Sequence, residues 1–120
     1  PTSQIRKIME HIEWSDFQKI DIRVGTIIDV EDFPEARRPA YKLKVDLGSE
    51  LGIKKSSAQI TALYSKEDLL GKQVLAVVNF APKQIGPIMS ECLVTGLHRP
   101  DGSVVLSTVD MKLPNGAKLA

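Results

Sequence analysis

Few residues in this chain are equipped for covalent or proton-transfer chemistry. Its two histidines, His11 and His98, lie far apart, and neither has a Cys or His neighbour at metal-ligand spacing. The one cysteine, Cys92, opens an apolar Cys-Leu-Val-Thr run with no base evident beside it, so it is expected to pack as a small hydrophobe. Ser56 and Ser57 belong to no nucleophile motif. Gly48 and Gly52 lack the following Lys-Ser/Thr and the helix that a phosphate-cradling loop requires. This inventory points away from an enzyme and calls for no metal or cofactor.

Binding chemistry remains, and it has two sources. Between the β-like runs Val74–Phe80 and Cys92–Leu97 lies Ala81-Pro82-Lys83-Gln84-Ile85-Gly86-Pro87-Ile88-Met89-Ser90-Glu91, a connection with three large apolar residues and one cation. Connections run over the surface and are usually polar, so Phe80, Pro82, Ile85, Ile88 and Met89 are candidates for a surface that receives an extended, apolar polypeptide segment. The alternative is that Ile85, Ile88 and Met89 plug a barrel end or a subunit interface. The second source is cationic: Arg37-Arg38 with Lys42 and Lys44, and Lys54-Lys55. If the strands carrying them are neighbours, these groups share one side, either as a polyanion site or as a solvated face. Only Tyr41 is near enough to act as a stacking platform for bases.

The elements that must position these residues follow from hydrophobic period. Ile5, Ile8, Met9 and Ile12 recur at helical spacing and predict an amphipathic helix capped by Thr2 or Ser3. Ser15-Asp16-Phe17-Gln18 reads as a capping box for one further turn, with Trp14 and Phe17 sealing an edge of the core. From Ile20 the period becomes two, and Ile22, Val24, Thr26, Ile28 and Val30 are expected on one face of a long strand, with Gly25 marking a bulge or bend. After a loop from Phe33 to Pro39 come a strand at Tyr41–Leu47, a turn at Gly48–Gly52 and a strand at Ile53–Ile60. A short helix opens at Ser65 and closes at Gly71, and the two runs flanking the 81–91 connection follow. Pro100-Asp101-Gly102 turns the chain into Val104–Leu106, and Pro114-Asn115-Gly116 makes a further turn.

Strand, strand, strand, short helix, strand, strand is the order of the OB-fold, so the expectation is an all-β, five-stranded Greek-key barrel with short helices. A chain of 120 residues fits one domain over 1–120, divided here into an N-terminal helical extension (1–13), a barrel (14–97) and a C-terminal extension (98–120). Sixteen basic against fifteen acidic residues give a net charge of +1, so any polyanion site has to be local. No apolar run approaches the roughly 20 residues that span a bilayer, so no membrane insertion is expected. A single cysteine suits a reducing, cytoplasmic setting.

Four segments together carry a resemblance: Asp16–Ile27, Phe33–Lys42, Gly52–Thr61 and Asn79–Glu91. In this order they closely resemble the CsaA family, over nearly the whole chain. The resemblance implies an OB-fold homodimer whose segments beyond the barrel help form the interface. It also implies chaperone-like binding of unfolded or pre-secretory polypeptides in cooperation with the export machinery. CsaA proteins are in turn similar to the tRNA-binding OB domains attached to methionyl- and phenylalanyl-tRNA synthetases. There the loop after strand four typically reads Asn-Leu-Lys-Pro-x-Lys-x-Arg-Gly-x-x-Ser. Asn79, Pro82 and Ser90 fall on matching positions here, whereas Ala81, Gln84 and Gly86 stand where cations would be and Lys83 is displaced by one. Losing about three phosphate contacts weakens polyanion binding strongly through lost counterion release. A tRNA or structured-RNA site, the alternative function, would draw on Arg37, Arg38, Lys42, Lys54, Lys55, Asn79, Lys83 and Ser90.

Overall fold

A computed structural model describes residues 9–120. The expected helix from Ile5 falls largely outside these residues, and residues 9–13 have no regular structure, with Met9 and Ile12 exposed. The first described helix, α1 (Trp14–Gln18), is capped by Glu13 rather than Ser15, through a reciprocal pair of bonds with Asp16. It buries no residue. Trp14 and Phe17 therefore do not seal the barrel but contact each other, with ring centroids 5.2 Å apart.

The barrel is built on β1 (Ile22–Asp32), an eleven-residue strand. It pairs antiparallel with both β2 (Tyr41–Asp46) and β4 (Gln73–Val77). Its residues facing the barrel core are Gly25, Ile27 and, beyond the bulge, Val30. Of the expected set Ile22, Val24, Thr26, Ile28 and Val30, only Val30 packs against that core, and Val24 is buried outside it. A register shift between Ile27 and Asp29 makes Ile28 the extra residue of a bulge and leaves it exposed, whereas Ile27 is fully buried. The bulge sits three residues beyond Gly25. Gly25 serves a different purpose, because a Cβ there would lie 2.5 Å from a Val45 methyl and 2.7 Å from a Leu47 methyl; glycine lets β2 approach closely. Val24 points to the opposite face, and its backbone exchanges bonds with Gly116 and Ala117.

After β2, one helical turn, α2 (Gly48–Leu51), leads to β3 (Ile53–Ala58). The short helix expected after Ser65 is α3 (Lys66–Leu69). Ser65 Oγ accepts from the Asp68 amide at 3.1 Å while Asp68 Oδ2 accepts from the Ser65 amide at 2.9 Å, and Leu69 is driven into the core. The sheet is completed by β7 (Leu93–Val94), giving the antiparallel order β3-β2-β1-β4-β7. Ile27, Leu43, Val45, Leu47, Leu69 and Val74 fill its interior. This is the five-stranded, nearly closed antiparallel barrel of the OB-fold, and no helix among the described residues is long and apolar enough to cross a membrane.

The chain from 81 to 106 is more structured than its composition suggests. The 81–91 connection is a β-hairpin, β5 (Lys83–Ile85) with β6 (Ile88–Ser90). Its two-residue loop is Gly86-Pro87, with φ of +55° at Gly86, where Gly is required and Pro suits the position that follows. The expected strand at Cys92–Leu97 is divided into β7 and β8 (Gly96–His98), and β8 pairs with β9 (Val104–Leu106) around the Asp101-Gly102 turn. Beyond β9 the chain returns to β1. Gly116–Leu119 bonds to Ile22–Val24 on the edge that β2 leaves unpaired, and the Arg23 guanidinium holds Asp21 and the Gly116 carbonyl.

Gly25→Ala inserts a methyl group between Val45 and Leu47. It is expected to lower stability by about 1–3 kcal/mol through overpacking, read as a shifted urea midpoint at unchanged slope.

Candidate binding surface

Pairing in the β5–β6 hairpin decides which of its residues meet solvent. Lys83 is opposite Ser90, Gln84 opposite Met89, and Ile85 opposite Ile88, so Gln84 and Met89 share the outer face. Ile85 and Ile88 share the inner face and are half-buried against the barrel. The tip rests on Phe33, which is buried. A Cβ at Gly86 would lie 3.6 Å from its ring, and Lys42 Nζ stands 5.8 Å from the ring centroid.

Three cavities border this hairpin. One of about 450 Å³ is walled by Phe80, Ala81, Ile85 and Leu93, with Lys83, Ser57 and Glu91 at its margins. A second, of about 560 Å³, continues past Ser57, Ile85 and Leu93 to Arg38, Thr95 and His98. Phe80 is 61% exposed and Leu93 47% exposed, so the trough formed by these two is apolar and accessible. A third, of about 110 Å³, lies under Ile88 between Asp29, Glu31, Lys42, Lys44 and Lys55. The expected polypeptide set is thus split. Phe80 and Ile85 line the trough, Ile88 lies under the hairpin beside the lysines, Met89 is on the outer face, and Pro82 is exposed at the hairpin's start and lines none of the three. Leu93 joins the trough although sequence reasoning does not single it out; its only signal is an apolar side chain beginning a short edge strand.

The cations also divide. Lys44 is directly opposite Lys55 and Lys42 opposite Ser57, which places Lys42, Lys44 and Lys55 on one face; Lys54 alternates to the other, opposite Val45. Asp29 faces Lys44 and Glu31 faces Lys42 across β1, giving an acidic row beside a basic one. Among the described residues none of these three lysines has a carboxylate oxygen within 4 Å. Arg37 and Arg38 are on the Phe33–Ala40 loop, with Arg38 bordering the larger cavity.

Residues 22–118 match the family described as putative tRNA binding domain. The crystal structure of the chaperone CsaA of Bacillus anthracis superposes with a TM-score of 0.87 at 49% identity, covering 92% of this chain and 100% of that one. The CsaA chaperone protein of Picrophilus torridus superposes with a TM-score of 0.86 at 54% identity, with the same coverage. The chain belongs to the CsaA family of tRNA-binding-type domains. Methionine–tRNA ligase of Methanocaldococcus jannaschii is 36% identical over 111 residues, which are 92% of this chain and 17% of that enzyme. The likeness to the ligase is therefore confined to its tRNA-binding domain.

Within this CsaA-family fold, two positions shared with the tRNA-binding loop have structural duties. Asn79 Oδ1 accepts from the Asp21 amide at 3.0 Å and Asn79 Nδ2 donates to the Lys19 carbonyl at 2.6 Å, so its side chain clamps the entry to β1. Ser90 Oγ donates to the Cys92 carbonyl at 3.3 Å. Both side chains are thus engaged with the chain's own backbone in this conformation. Lys83 remains exposed. Glu91, unmarked in the sequence, ties the hairpin down: its amide donates to the Lys55 carbonyl at 2.7 Å and its carboxylate accepts from the Lys55 amide at 2.9 Å. Ser56, only 1% exposed, donates to the Cys92 carbonyl at 2.9 Å beside it. Among the described residues no group of three His, Cys, Asp or Glu side chains is placed to hold a metal.

Cys92 is buried, and desolvation of its thiolate pushes the thiol up to about 11. The native protein is expected to resist a thiol-reactive dye at pH 7.5 and to react promptly in urea. Fast labelling of the native state would show that the hairpin base opens readily.

Proposed function

We propose that this protein is a homodimeric, chaperone-like binder of unfolded or precursor polypeptides, in keeping with the chaperones on which it superposes. It would work in the cytoplasm in support of export. The observation that carries this is the trough walled by Phe80, Ile85 and Leu93. It offers an apolar, accessible surface between a hairpin and a sheet edge, with Lys83 and Arg38 near to attract carboxylates or backbone carbonyls. Met89 supplies an adaptable thioether on the hairpin's outer face, 38% exposed, suited to a variable client.

The dimer reading rests on a different surface. Trp14, Phe17, Ile20 and Leu119 line a cavity of about 470 Å³ where α1 meets the C-terminal segment. Trp14 is 65% exposed there, and nothing among the described residues covers this apolar group. A two-fold interface would bury it.

RNA binding is the second reading, favoured by the family match and by the face shared by Lys42, Lys44 and Lys55. Lys44 and Lys55 stand directly opposite, an arrangement that costs stability unless an anion relieves it. The hairpin's one cation, Lys83, borders the Phe80–Leu93 trough instead, so the phosphate count on this face is small.

Phe80→Asp changes an exposed wall of the trough, so folding should survive. Suppression of aggregation of an unfolded client is expected to fall about tenfold or more, while Lys55→Glu leaves it nearly unchanged and instead reduces any salt-sensitive RNA gel shift. The opposite pattern would favour the RNA reading. Trp14→Glu is expected to convert the dimer to monomer in sedimentation equilibrium; a persistent dimer would place the interface elsewhere.

A further inference from the structure

The trough has a polar floor as well as apolar walls, and that floor is a strand edge. In the β2–β3 ladder, Lys44 pairs with Lys55 and Lys42 with Ser57. The amide and carbonyl of Lys55 both bond to Glu91, on the side away from β2. Backbone groups of a strand alternate in direction, so Ser57, two residues on, presents its amide and carbonyl to the same side. The described residues supply neither group with a hydrogen-bond partner. Ser57 is half-buried at the junction of the 450 Å³ and 560 Å³ cavities, with Ile85 and Leu93 beside it. Glu91 acts as a one-residue strand neighbour to Lys55, and at Ser57 that substitute pairing stops.

We propose that an extended polypeptide adds as a short strand to the outer edge of β3 at Ser57, continuing the line of pairing that Glu91 begins. This rests on the polypeptide-binding reading and gives it a recognition mode. Main-chain bonds to Ser57 supply affinity for any sequence, and alternate side chains enter the apolar pockets formed by Phe80, Ile85 and Leu93. Lys83 borders one cavity and Arg38 the other, on either side of the junction, which favours carboxylates flanking the apolar residues. The ligand class is therefore an extended chain of alternating apolar residues with acidic flanks. A preformed amphipathic helix has its amides already bonded and cannot pair with Ser57.

The test uses a fluorescein-labelled seven-residue peptide of alternating Val and Thr ending in Asp, followed by anisotropy with the full chain. Two further peptides carry N-methyl groups on the odd or on the even amides, each blocking one edge of the strand. The expected result is that one methylated peptide binds about tenfold more weakly than the parent while the other binds nearly as well. Ser57→Pro removes a donor outside the β2–β3 ladder and is expected to weaken the parent peptide similarly, with the circular dichroism spectrum unchanged. Equal binding of all three peptides, together with loss on Phe80→Asp, overturns strand addition and leaves polypeptide binding standing. Failure of the parent peptide and of an unfolded client to bind at all overturns both.

Discussion

The barrel depends on how its last seam is closed. Regular ladders join neighbouring strands from β3 through to β7, but these two end strands share no ladder with each other. Its place is taken by the buried Ser56 hydroxyl bonded to the Cys92 carbonyl and by the exchange between Lys55 and Glu91. A buried hydroxyl without a partner costs about 1–3 kcal/mol, so Ser56 fixes the position of Cys92 firmly. From that anchor the hairpin rises on one side and β7 leaves on the other. A seam closed by a full ladder would have no trough and no outward Ser57.

The outer face of the barrel is governed by the same geometry. With period two, the core residues Leu43 and Val45 oblige Lys42 and Lys44 to face out, and pairing sets Glu31 and Asp29 against them on β1. On the far side the neighbour of Lys55 is Glu91, whose carboxylate is taken up by the Lys55 amide rather than by its ammonium, so the two flanks are balanced differently. Ile88, held over this face by the hairpin tip on Phe33, covers the boundary. Cationic and apolar surfaces thus adjoin across a few residues, as expected of a fold whose relatives include both chaperones and synthetase domains.

Much of this architecture is legible in the sequence. Alternation locates β1, β2 and β3, the Ser65 cap locates α3, and their order indicates the barrel. Where sequence and structure part, the causes are specific. Ile27 and Ile28 are adjacent and both apolar, so periodicity alone does not say which one faces the core; the bulge decides it. The irregular composition of Phe80–Glu91 suggests a loop, although Gly86-Pro87 between two isoleucines is the signal of a two-residue hairpin. Asn79 matches an RNA-binding position, but its bonds to Lys19 and Asp21 reach back across 60 and 58 residues and leave no local trace. Glu91 is invisible for a related reason: its carboxylate and amide meet the backbone of Lys55, 36 residues away. The outward direction of the Ser57 amide and carbonyl is set by strand register, which side-chain identity does not encode.

The return of the C-terminal segment to β1 bears on the order of assembly. Arg23 binds the Gly116 carbonyl across 93 residues of chain, and Val24 exchanges bonds with Gly116 and Ala117. Contacts so distant in sequence are slow to form, because a long loop must close first. During synthesis, the leading half of β1 keeps an open edge until residues 116–119 have cleared the ribosome, although β2 and β4 can already flank its other positions. A protein of a chaperone-related family would then itself pass through a stage with an unprotected strand edge, one that residues 116–119 must reach before another chain does.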